Sequence, residues 1–399
     1  MADKKYLVPM SGPELNEGDR QSVLDVLETR YLSIGPKLEA FEDEVKDYCG
    51  AGAAVGVSSG TAGLHLCIRA AGVNPGDYVI TTPFSFVSSA NVILFENAVP
   101  IFVDVEPSTG NIHPGLVMQA ADDLSSGDAK KMSRWLPRKG ASMSGKLRAV
   151  LPVDVFGQPA DNDEIKETAD AFSLPVIEDS CEALGSEYRG KKAGRLGDFG
   201  VFAFYPNKQI TTAEGGMVVT DDSEAAELIR SLRNQGRAPG DTWLQHTYLG
   251  YNYRLDEMSA ALGLSQIQRL DELVAKRDDV AQMYSERLQE IPQIEIPCIA
   301  PSTTKMSWFV YVIRVKKGIS RDKLADSLDD AGIPVRPYFL PIHLQPYMVE
   351  RFGFQPGDFP VTEDLGSRSL ALPFSGLMTA DQVDLVCSKL EACIKKAAV

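Results

Sequence analysis

A lysine stands in a loop whose composition suits covalent chemistry. An apolar stretch ending at Phe204 runs into Tyr-Pro-Asn-Lys208, and Glu214 and two glycines follow before the next apolar stretch. A lysine amine in a partly apolar site can lose its proton and attack an aldehyde. The glycines permit tight turns beside a ligand. Because a lone lysine is usually a solvated surface group, Lys208 needs partners elsewhere in the chain before it can be assigned a catalytic role.

A carboxylate closes another apolar stretch, Pro175–Asp179. In a parallel sheet, ligands bind at the edge where the carboxyl ends of the strands lie. At that edge Asp179 could pair with a protonated pyridine nitrogen and make a heterocyclic cofactor a better electron sink. Taken alone, an Asp at a strand end is more often a helix cap or a surface group.

The segment Val57–Leu64, VSSGTAGL, ends a strand and opens a helix. A helix N-terminus binds phosphate well because it offers free N–H groups and a partial positive charge. Gly60 lets the backbone approach a ligand closely, and Ser59 or Thr61 can add a hydroxyl. A simple N-cap is the competing interpretation.

Two nucleotide-binding motifs are excluded. The glycine-rich stretch Gly50–Gly56 has the wrong spacing for a dinucleotide fingerprint and precedes a strand instead of following one. A Rossmann dehydrogenase is rejected on that ground. The chain also lacks a GxxxxGK[ST] phosphate loop.

The elements that must position these residues alternate in type. Helical patterns and short apolar strands follow one another from about Leu38 to Asp222, which predicts a mainly parallel sheet covered on both faces. The expected helices are Leu38–Tyr48, Thr61–Ala71 and Val87–Phe95. The expected strands are Ala53–Val57, Tyr78–Thr81, Pro100–Val105, Ala149–Pro152, Pro175–Ile177, Val201–Phe204 and Met217–Thr220.

The second part of the chain changes character. One long helical pattern, Asp256–Leu288, is expected to link a large domain to a smaller α+β domain. The smaller domain should contain strand Trp308–Val315, helix Arg321–Ala331, the Pro-rich loop Pro334–Pro346 and a last helix, Ala380–Ala397. We place the large domain at residues 1–270 and the small one at 271–399.

A polar insertion at about residues 121–148 carries seven basic residues in a chain whose net charge is -15. The plain interpretation is a solvated loop. The alternative is an electropositive rim that attracts a phosphorylated substrate.

Composition narrows the class of protein. The chain has 399 residues, of which 44% are hydrophobic, enough for a large core. Its acidic balance argues against nucleic acid or an anionic membrane as the main partner. No apolar run is long enough for a membrane span, and no signal-peptide pattern opens the chain. Six scattered cysteines without CxxC spacing indicate neither zinc nor a disulfide scaffold, so we expect a cytoplasmic protein without a metal.

Five ordered motifs together resemble the DegT/DnrJ/EryC1/StrS family of pyridoxal phosphate (PLP)-dependent, fold-type I aminotransferases, which mostly act on nucleotide-linked keto-sugars. The resemblance runs from near Leu15 to about Tyr347. The motifs are GTAG, PFSFVSSAN, VIEDSCEALGS, FAFYPNKQITTAEGG and LGYNYRLDEMSAALGLSQ. The resemblance implies an α/β fold with a mixed, mainly parallel sheet between helices and a smaller α+β C-terminal domain.

The resemblance also implies roles at individual positions. Lys208 matches the lysine that carries PLP as a Schiff base, and Asp179 matches the partner of the pyridine nitrogen. Phe86 matches the aromatic residue stacked on the cofactor ring, and Glu182 stands where many members have His or Gln near the ring hydroxyl. The remaining matches are Gly60, Thr61 and Ala62 in the phosphate cradle, Asn252 reaching the phosphate of a neighbouring subunit in a homodimer, Gln158 facing the site, and His343 in the loop near the sugar.

Two positions depart from the family pattern. Many members have a phosphate-binding serine five residues before the lysine, where this chain has Ala203; Ala213 replaces a frequent glycine. Some members carry His at the lysine position and act as sugar dehydratases, and Lys208 argues against that branch.

The resemblance implies a ping-pong transfer of an amino group, with glutamate as the expected donor and a nucleotide-linked 4-keto-6-deoxyhexose as the expected acceptor. The ITTAEGG segment resembles members that aminate C4. Three alternatives stay open: amination of a cyclitol or other non-sugar ketone in antibiotic synthesis, a PLP sugar dehydratase, and a non-catalytic regulator.

Overall fold

The computed structural model describes residues 6–397. The helices are α1 (Glu17–Leu27), α2 (Pro36–Cys49), α3 (Gly60–Ala70), α4 (Ser88–Phe95), α5 (Pro114–Ser125), α6 (Ala129–Met132), α7 (Asn162–Phe172), α8 (Ser223–Arg233), α9 (Glu257–Ile267), α10 (Leu270–Leu288), α11 (Arg321–Asp330), α12 (Pro346–Phe352), α13 (Pro360–Arg368) and α14 (Ala380–Ala397). The strands are β1 (Ala53–Val57), β2 (Tyr78–Thr81), β3 (Val99–Phe102), β4 (Leu147–Leu151), β5 (Ile177–Asp179), β6 (Glu187–Tyr188), β7 (Lys191–Lys192), β8 (Phe199–Ala203), β9 (Gly216–Thr220), β10 (Ile294–Glu295), β11 (Thr303–Lys305), β12 (Tyr311–Val315), β13 (Arg336–Pro337) and β14 (Ser369–Leu372).

The main sheet has the order β3-β2-β4-β5-β8-β9-β1. Parallel pairing joins β3, β2 and β4, and it joins β5 to β8. Two parallel bridges, Val150 to Val176 and Val153 to Asp179, link the two halves. Strand β9 alone runs antiparallel to its neighbours β8 and β1. The prediction of a mixed, mainly parallel sheet is therefore confirmed.

Both faces of this sheet are buried, as its continuous apolar strands predict. Successive residues of a strand point to opposite faces. Val201 joins the cluster under α3, whereas Phe202 joins the cluster under α2 and the start of α10. Helices on both faces thus hold the carboxyl ends of the parallel strands along one rigid edge.

A second, smaller sheet in the C-terminal part is antiparallel, with the order β10-β12-β14-β13. Its apolar face packs on α10, α11 and α14 around buried Tyr284, Tyr311 and Leu390. The predicted α+β character of this part is confirmed. Strand β12 begins at Tyr311 and not at Trp308, because Trp308 has a φ of 50°, which an extended strand does not accept.

Segments on both sides of the expected division at residue 270 pack with the other part of the molecule. Val8 belongs to the core of the smaller part, and Met10 accepts a backbone hydrogen bond from Phe374. In the other direction, Phe352 of α12 packs into the core of the larger part. The first five and last two residues of the expected domains lie outside the described residues.

The long helix expected over Asp256–Leu288 is two helices, α9 and α10, separated at Gln268 and Arg269. Arg269 leaves the helical conformation with ψ 20°, and its guanidinium binds the backbone of Glu14 and the carboxylate of Asp19. This break redirects α10 toward the smaller sheet.

The insertion at 121–148 is more ordered than a solvated loop. Met132 of α6 is buried, and Trp135 packs beside the core and donates to Asp123. Much of its positive charge is paired: Lys131 and Arg134 with Asp123, Arg138 with Asp358, and Arg148 with Asp77.

No helix within residues 6–397 is long and apolar enough to cross a bilayer.

Candidate active site

A cavity of about 440 Å³ opens at the carboxyl edge of the main sheet. The segments that follow β1, β2, β5 and β8 each contribute to its wall, because the carboxyl ends of parallel strands meet along one edge. Six of the residues predicted from the sequence line this single cavity. They are Gly60, Thr61, Phe86, Asp179, Glu182 and Lys208.

Lys208 lies in the loop between β8 and β9, and a turn bonds its backbone N–H to the carbonyl of Tyr205 at 2.9 Å. Its Nζ lies 3.8 Å from the ring centroid of Phe309 and 3.6 Å from Oε1 of Glu182. The side chain is only 12% exposed. The amine is therefore held between an aromatic face and a carboxylate, at the position where an aldehyde in the cavity would meet it.

Asp179 ends β5, and its carboxylate is fixed by two hydrogen bonds. Oδ2 accepts from the hydroxyl of Ser89 at 2.7 Å, and Oδ1 accepts from the backbone N–H of Cys181 at 3.2 Å. The side chain is buried but lines the cavity. A buried carboxylate needs compensating partners, so this geometry suits a protonated ring nitrogen.

The start of α3 lines one part of the cavity, where the resemblance predicts the phosphate cradle. Ser59 caps the helix by accepting from Ala62 N–H at 3.0 Å, which leaves the first-turn N–H groups of Gly60 and Thr61 without intrahelical partners. A Cβ on Gly60 would lie 2.7 Å from Sγ of Cys181 and 2.8 Å from Cβ of Ala203. Only glycine fits there, so the backbone itself forms the cradle.

Two further predicted residues frame the ring position. Phe86 is 61% exposed, unusual for a large aromatic residue, and its ring lines the cavity. Glu182 is buried, and its Oε2 accepts from the backbone N–H of Phe156 at 2.9 Å. Burial raises the pKa of Glu182, and the nearby Lys208 opposes that shift.

Two predicted substrate contacts point elsewhere. The side chain of Gln158 is buried and anchors the 298–303 segment, donating to the carbonyl of Cys298 and accepting from the N–H of Ala300. His343 is fully buried, and its Nε2 lies 3.0 Å from Oε1 of Glu363. Neither residue lines the cavity, and Nδ1 of His343 is buried without a hydrogen-bond partner among the described residues, so their predicted substrate contacts stay predictions.

Ala62 contributes its backbone to the Ser59 cap and not to the cavity wall. Asn252 is exposed, makes a backbone bridge to Asn234 and lies outside the cavity of its own chain. Its predicted contact, with a neighbouring subunit, stays a prediction.

The structure adds residues that the sequence did not single out. Tyr338 and Phe339 of the Pro-rich loop line the cavity, where His343 was expected, and Phe309 covers the lysine amine. Ser89 was missed as the partner of Asp179. Its place in the PFSFVSSAN motif, three residues after Phe86, was the available signal.

These residues fit PLP. The cavity offers an amine for the aldehyde, a fixed carboxylate for the ring nitrogen, an exposed aromatic face and a glycine cradle at a helix start. Asn207 also lines the cavity, and its Oδ1 is buried without a hydrogen-bond partner among the described residues, as expected of a group that awaits a ligand.

Comparisons with known proteins agree with this geometry. Residues 13–391 match the model of the DegT/DnrJ/EryC1/StrS aminotransferase family. The chain is 33% identical to spore coat polysaccharide biosynthesis protein SpsC of Bacillus subtilis over 99% of both chains. It is 34% identical to GDP-perosamine synthase of Caulobacter vibrioides over 96% of this chain and 97% of the relative. The solved structure of S. venezuelae DesV, in complex with a ketimine intermediate, superposes with a TM-score of 0.83 at 32% identity and covers 94% of this chain and 93% of DesV.

The family model spans nearly the whole chain, and Lys208, Asp179 and the Gly60 cradle meet in one cavity. Solved relatives of the same fold include PLP forms. The chain therefore belongs to the DegT/DnrJ/EryC1/StrS aminotransferase family and is a PLP-dependent aminotransferase.

Proposed function

We propose that this aminotransferase moves an amino group from glutamate to a nucleotide-linked 4-keto-6-deoxyhexose. The observation that carries the proposal is the convergence of Lys208, Asp179 and the Gly60 cradle in one cavity of about 440 Å³. The name of the relative GDP-perosamine synthase, 34% identical to this chain, supports a nucleotide-linked acceptor. The ITTAEGG segment supports amination at C4, since it resembles that of C4-aminating members.

PLP, when bound, supplies an electron sink for the negative charge that develops at the carbon losing a proton. The chain's own groups do the rest. Asp179, fixed by Ser89, would keep a proton on the ring nitrogen, and Phe86 would pack against the ring. The amine of Lys208 would move a proton to or from the substrate carbon, because it is the basic side chain that lines the cavity.

The acceptor side of the cavity is apolar and aromatic. Phe309, Tyr338 and Phe339 form this wall, and Lys208 is the one basic side chain among the described residues that line the cavity. A neutral deoxy-sugar ring suits such an apolar and aromatic wall.

We also propose a homodimer with shared active sites. The loop before Asn252 exposes Trp243, Leu244 and Leu249 at 78%, 84% and 80%. Large exposed apolar side chains in one loop are typical of a protein interface. Burying this loop against a second copy would carry Asn252 toward the partner's phosphate cradle.

A turnover screen tests the acceptor. The enzyme is first converted to its aminated form with glutamate and freed of excess donor. UDP-, GDP-, dTDP- and CDP-linked 4-keto-6-deoxyhexoses and a cyclitol ketone are then added one at a time, and the cofactor absorbance is followed. Return of the original absorbance with a nucleotide sugar supports the proposal, and NMR of the product locates the new nitrogen. Return with only the cyclitol ketone contradicts it.

Two variants separate the remaining alternatives. Lys208→Ala should abolish amino transfer, whereas Lys305→Ala, which removes a surface lysine paired with Asp271, should not. Unchanged transfer and cofactor absorbance in Lys208→Ala would contradict the enzymatic role given to this residue. A product that has lost water and gained no nitrogen, seen by mass spectrometry, would indicate a dehydratase.

A further inference from the structure

Arg277 is a buried cation directly behind the lysine loop. It lies in α10 and is 4% exposed. Its hydrogen-bond partners are main-chain carbonyl oxygens: Nη2 donates to Lys208 at 2.7 Å and to Asn207 at 3.2 Å, and Nη1 donates to Trp308 at 3.1 Å and to Phe309 at 3.3 Å. One planar group thus binds two separate segments of the chain.

Burying the charge of Arg277 is unfavourable in free energy. A buried charge needs strong partners, and none of the carboxylates in the described residues forms an ion pair with Arg277. Burial lowers the pKa of its guanidinium to about 10, which still leaves the group charged at neutral pH. Four carbonyl dipoles and the face of Phe374, 5.7 Å away, take the place of an acidic partner. A cation of this kind orients backbone instead of pairing with acid.

The two segments that Arg277 joins carry the two groups that meet at the reactive amine. One segment holds Lys208, whose Nζ lies 3.8 Å from the ring of Phe309 on the other segment. The 308–309 segment leads directly into β12 of the smaller sheet, while Lys208 follows β8 of the main sheet. The guanidinium therefore spans the two halves of the molecule at the reacting lysine.

We propose that Arg277 is a positioning residue for Lys208, holding the amine in register with Phe309 by binding the backbone of both segments. Arg277 does not line the active cavity. It borders a separate water-sized void of about 10 Å³, which Glu14 and Lys208 also line. It acts on the amine through the carbonyls of Asn207 and Lys208 and touches neither substrate nor cofactor.

The test uses the holoenzyme with three variants. Arg277→Met removes the charge and all four bonds. Arg277→Lys keeps a buried positive charge but lacks the planar fork that reaches both segments at once. Arg287→Met is the matched control, since it removes an arginine of the same helix that pairs with Asp384 near the surface. Each variant is assayed at a temperature where circular dichroism shows it to be folded.

Two readouts separate positioning from simple stabilisation. The first is kcat and KM of the amino-donor half-reaction with whichever donor serves the wild type best. The second is the fraction of Lys208 joined to the cofactor, trapped with borohydride and counted by peptide mass spectrometry. Neither depends on the acceptor, so a wrong acceptor in the proposed function leaves this test intact.

A shift of the amine by about 1 Å costs on the order of 10²-fold in rate. Arg277→Met should therefore lose about that factor in kcat with little change in KM, and less Lys208 should be trapped. Arg277→Lys should lose about tenfold in kcat, and Arg287→Met nothing. If Arg277→Met does not fold, Arg277→Lys decides. Wild-type kcat and trapping in the folded Arg277→Lys enzyme would contradict the proposal, whatever its melting temperature.

Discussion

The hydroxyl of Ser89 donates a 2.7 Å hydrogen bond to Oδ2 of Asp179 at the floor of the active cavity. Both side chains are buried, and 90 residues separate them in the chain. The second oxygen of Asp179 is held by the N–H of Cys181, so the carboxylate cannot rotate freely. A carboxylate that is fixed before the cofactor arrives needs no reorganisation when it takes up its role at the ring nitrogen.

Ser89→Ala should therefore lower kcat by at least about tenfold, because one buried hydrogen bond to a charged group contributes about 1.5–3 kcal/mol. The effect should appear in kcat and in the affinity for PLP, measured by steady-state kinetics and fluorescence titration. Ser231→Ala removes a buried serine hydroxyl that bonds only within α8, and it should leave both values unchanged. Equal behaviour of the two variants would show that Ser89 does not orient Asp179.

Gly60→Ala should weaken PLP binding by at least about tenfold. Its new Cβ would meet Sγ of Cys181 at 2.7 Å and Cβ of Ala203 at 2.8 Å, so the start of α3 must shift. Gly12→Ala is the matched control, because a Cβ at Gly12 meets nothing within 4 Å. Adding Cys181→Ala to Gly60→Ala should recover part of the affinity. No recovery would mean that the cradle fails for a reason other than this contact.

Ala203→Ser should tighten PLP binding by about fivefold, the value of one added hydrogen bond of about 1 kcal/mol. Ala203 lines the cavity beside Gly60, at the position where many family members have a phosphate-binding serine. Equilibrium titration of the cofactor-free protein measures the change. An unchanged dissociation constant would indicate that another group in this chain already supplies that contact.

Neutralising the insertion should barely affect the acceptor. Lys131 lies 3.4 Å from Asp122, and Arg134 lies 3.5 Å from Asp123, so much of the local positive charge is already paired. The combined variant Lys130→Ala, Lys131→Ala and Arg134→Ala should keep KM for a nucleotide sugar within about twofold at low and high salt. A tenfold rise in KM that disappears in high salt would instead favour an electropositive rim.

Asp154→Asn should reduce the loss of thermal stability at higher pH. Burial raises the pKa of Asp154 well above its ordinary 3.8, helped by the negative charge of nearby Glu178, whose own pKa burial also raises. A pKa raised by folding gives stability that is full below pH 3.8 and is lost as the pH rises through the folded value. Melting temperatures measured from about pH 5 to 9 give the slope of thermal stability against pH.

The slope should be shallower in Asp154→Asn than in the wild type, whereas Asp25→Asn, at an exposed position, should leave it as it is. Identical slopes in all three proteins would mean that the buried pair does not control this pH dependence.

Local signals in the sequence were sufficient for much of the site. The strands that precede Gly60, Asp179 and Lys208 read as short apolar runs, and parallel packing places the carboxyl ends of such strands on one edge. The convergence of these three residues followed from that rule, and the family resemblance added Phe86 and Glu182.

The sequence could not set the direction of side chains that are held by distant segments. Gln158 and His343 belong to motifs that predict contact with the site. In the structure the side chain of Gln158 accepts a hydrogen bond from Ala300, and the ring of His343 contacts the carboxylate of Glu363. Likewise the break between α9 and α10 depends on Arg269 reaching Glu14, 255 residues away. No local pattern encodes such contacts.

The sequence by itself thus determined the α/β order, because strand periodicity and helix starts depend on neighbouring residues, and the family resemblance predicted the roles of Lys208 and Asp179. Only the tertiary structure decided that Phe309 covers the amine, that Ser89 fixes Asp179, and that Arg277 joins the lysine loop to the smaller sheet. Those contacts form between segments 69 to 101 residues apart, and only the packed core brings such segments within hydrogen-bonding distance.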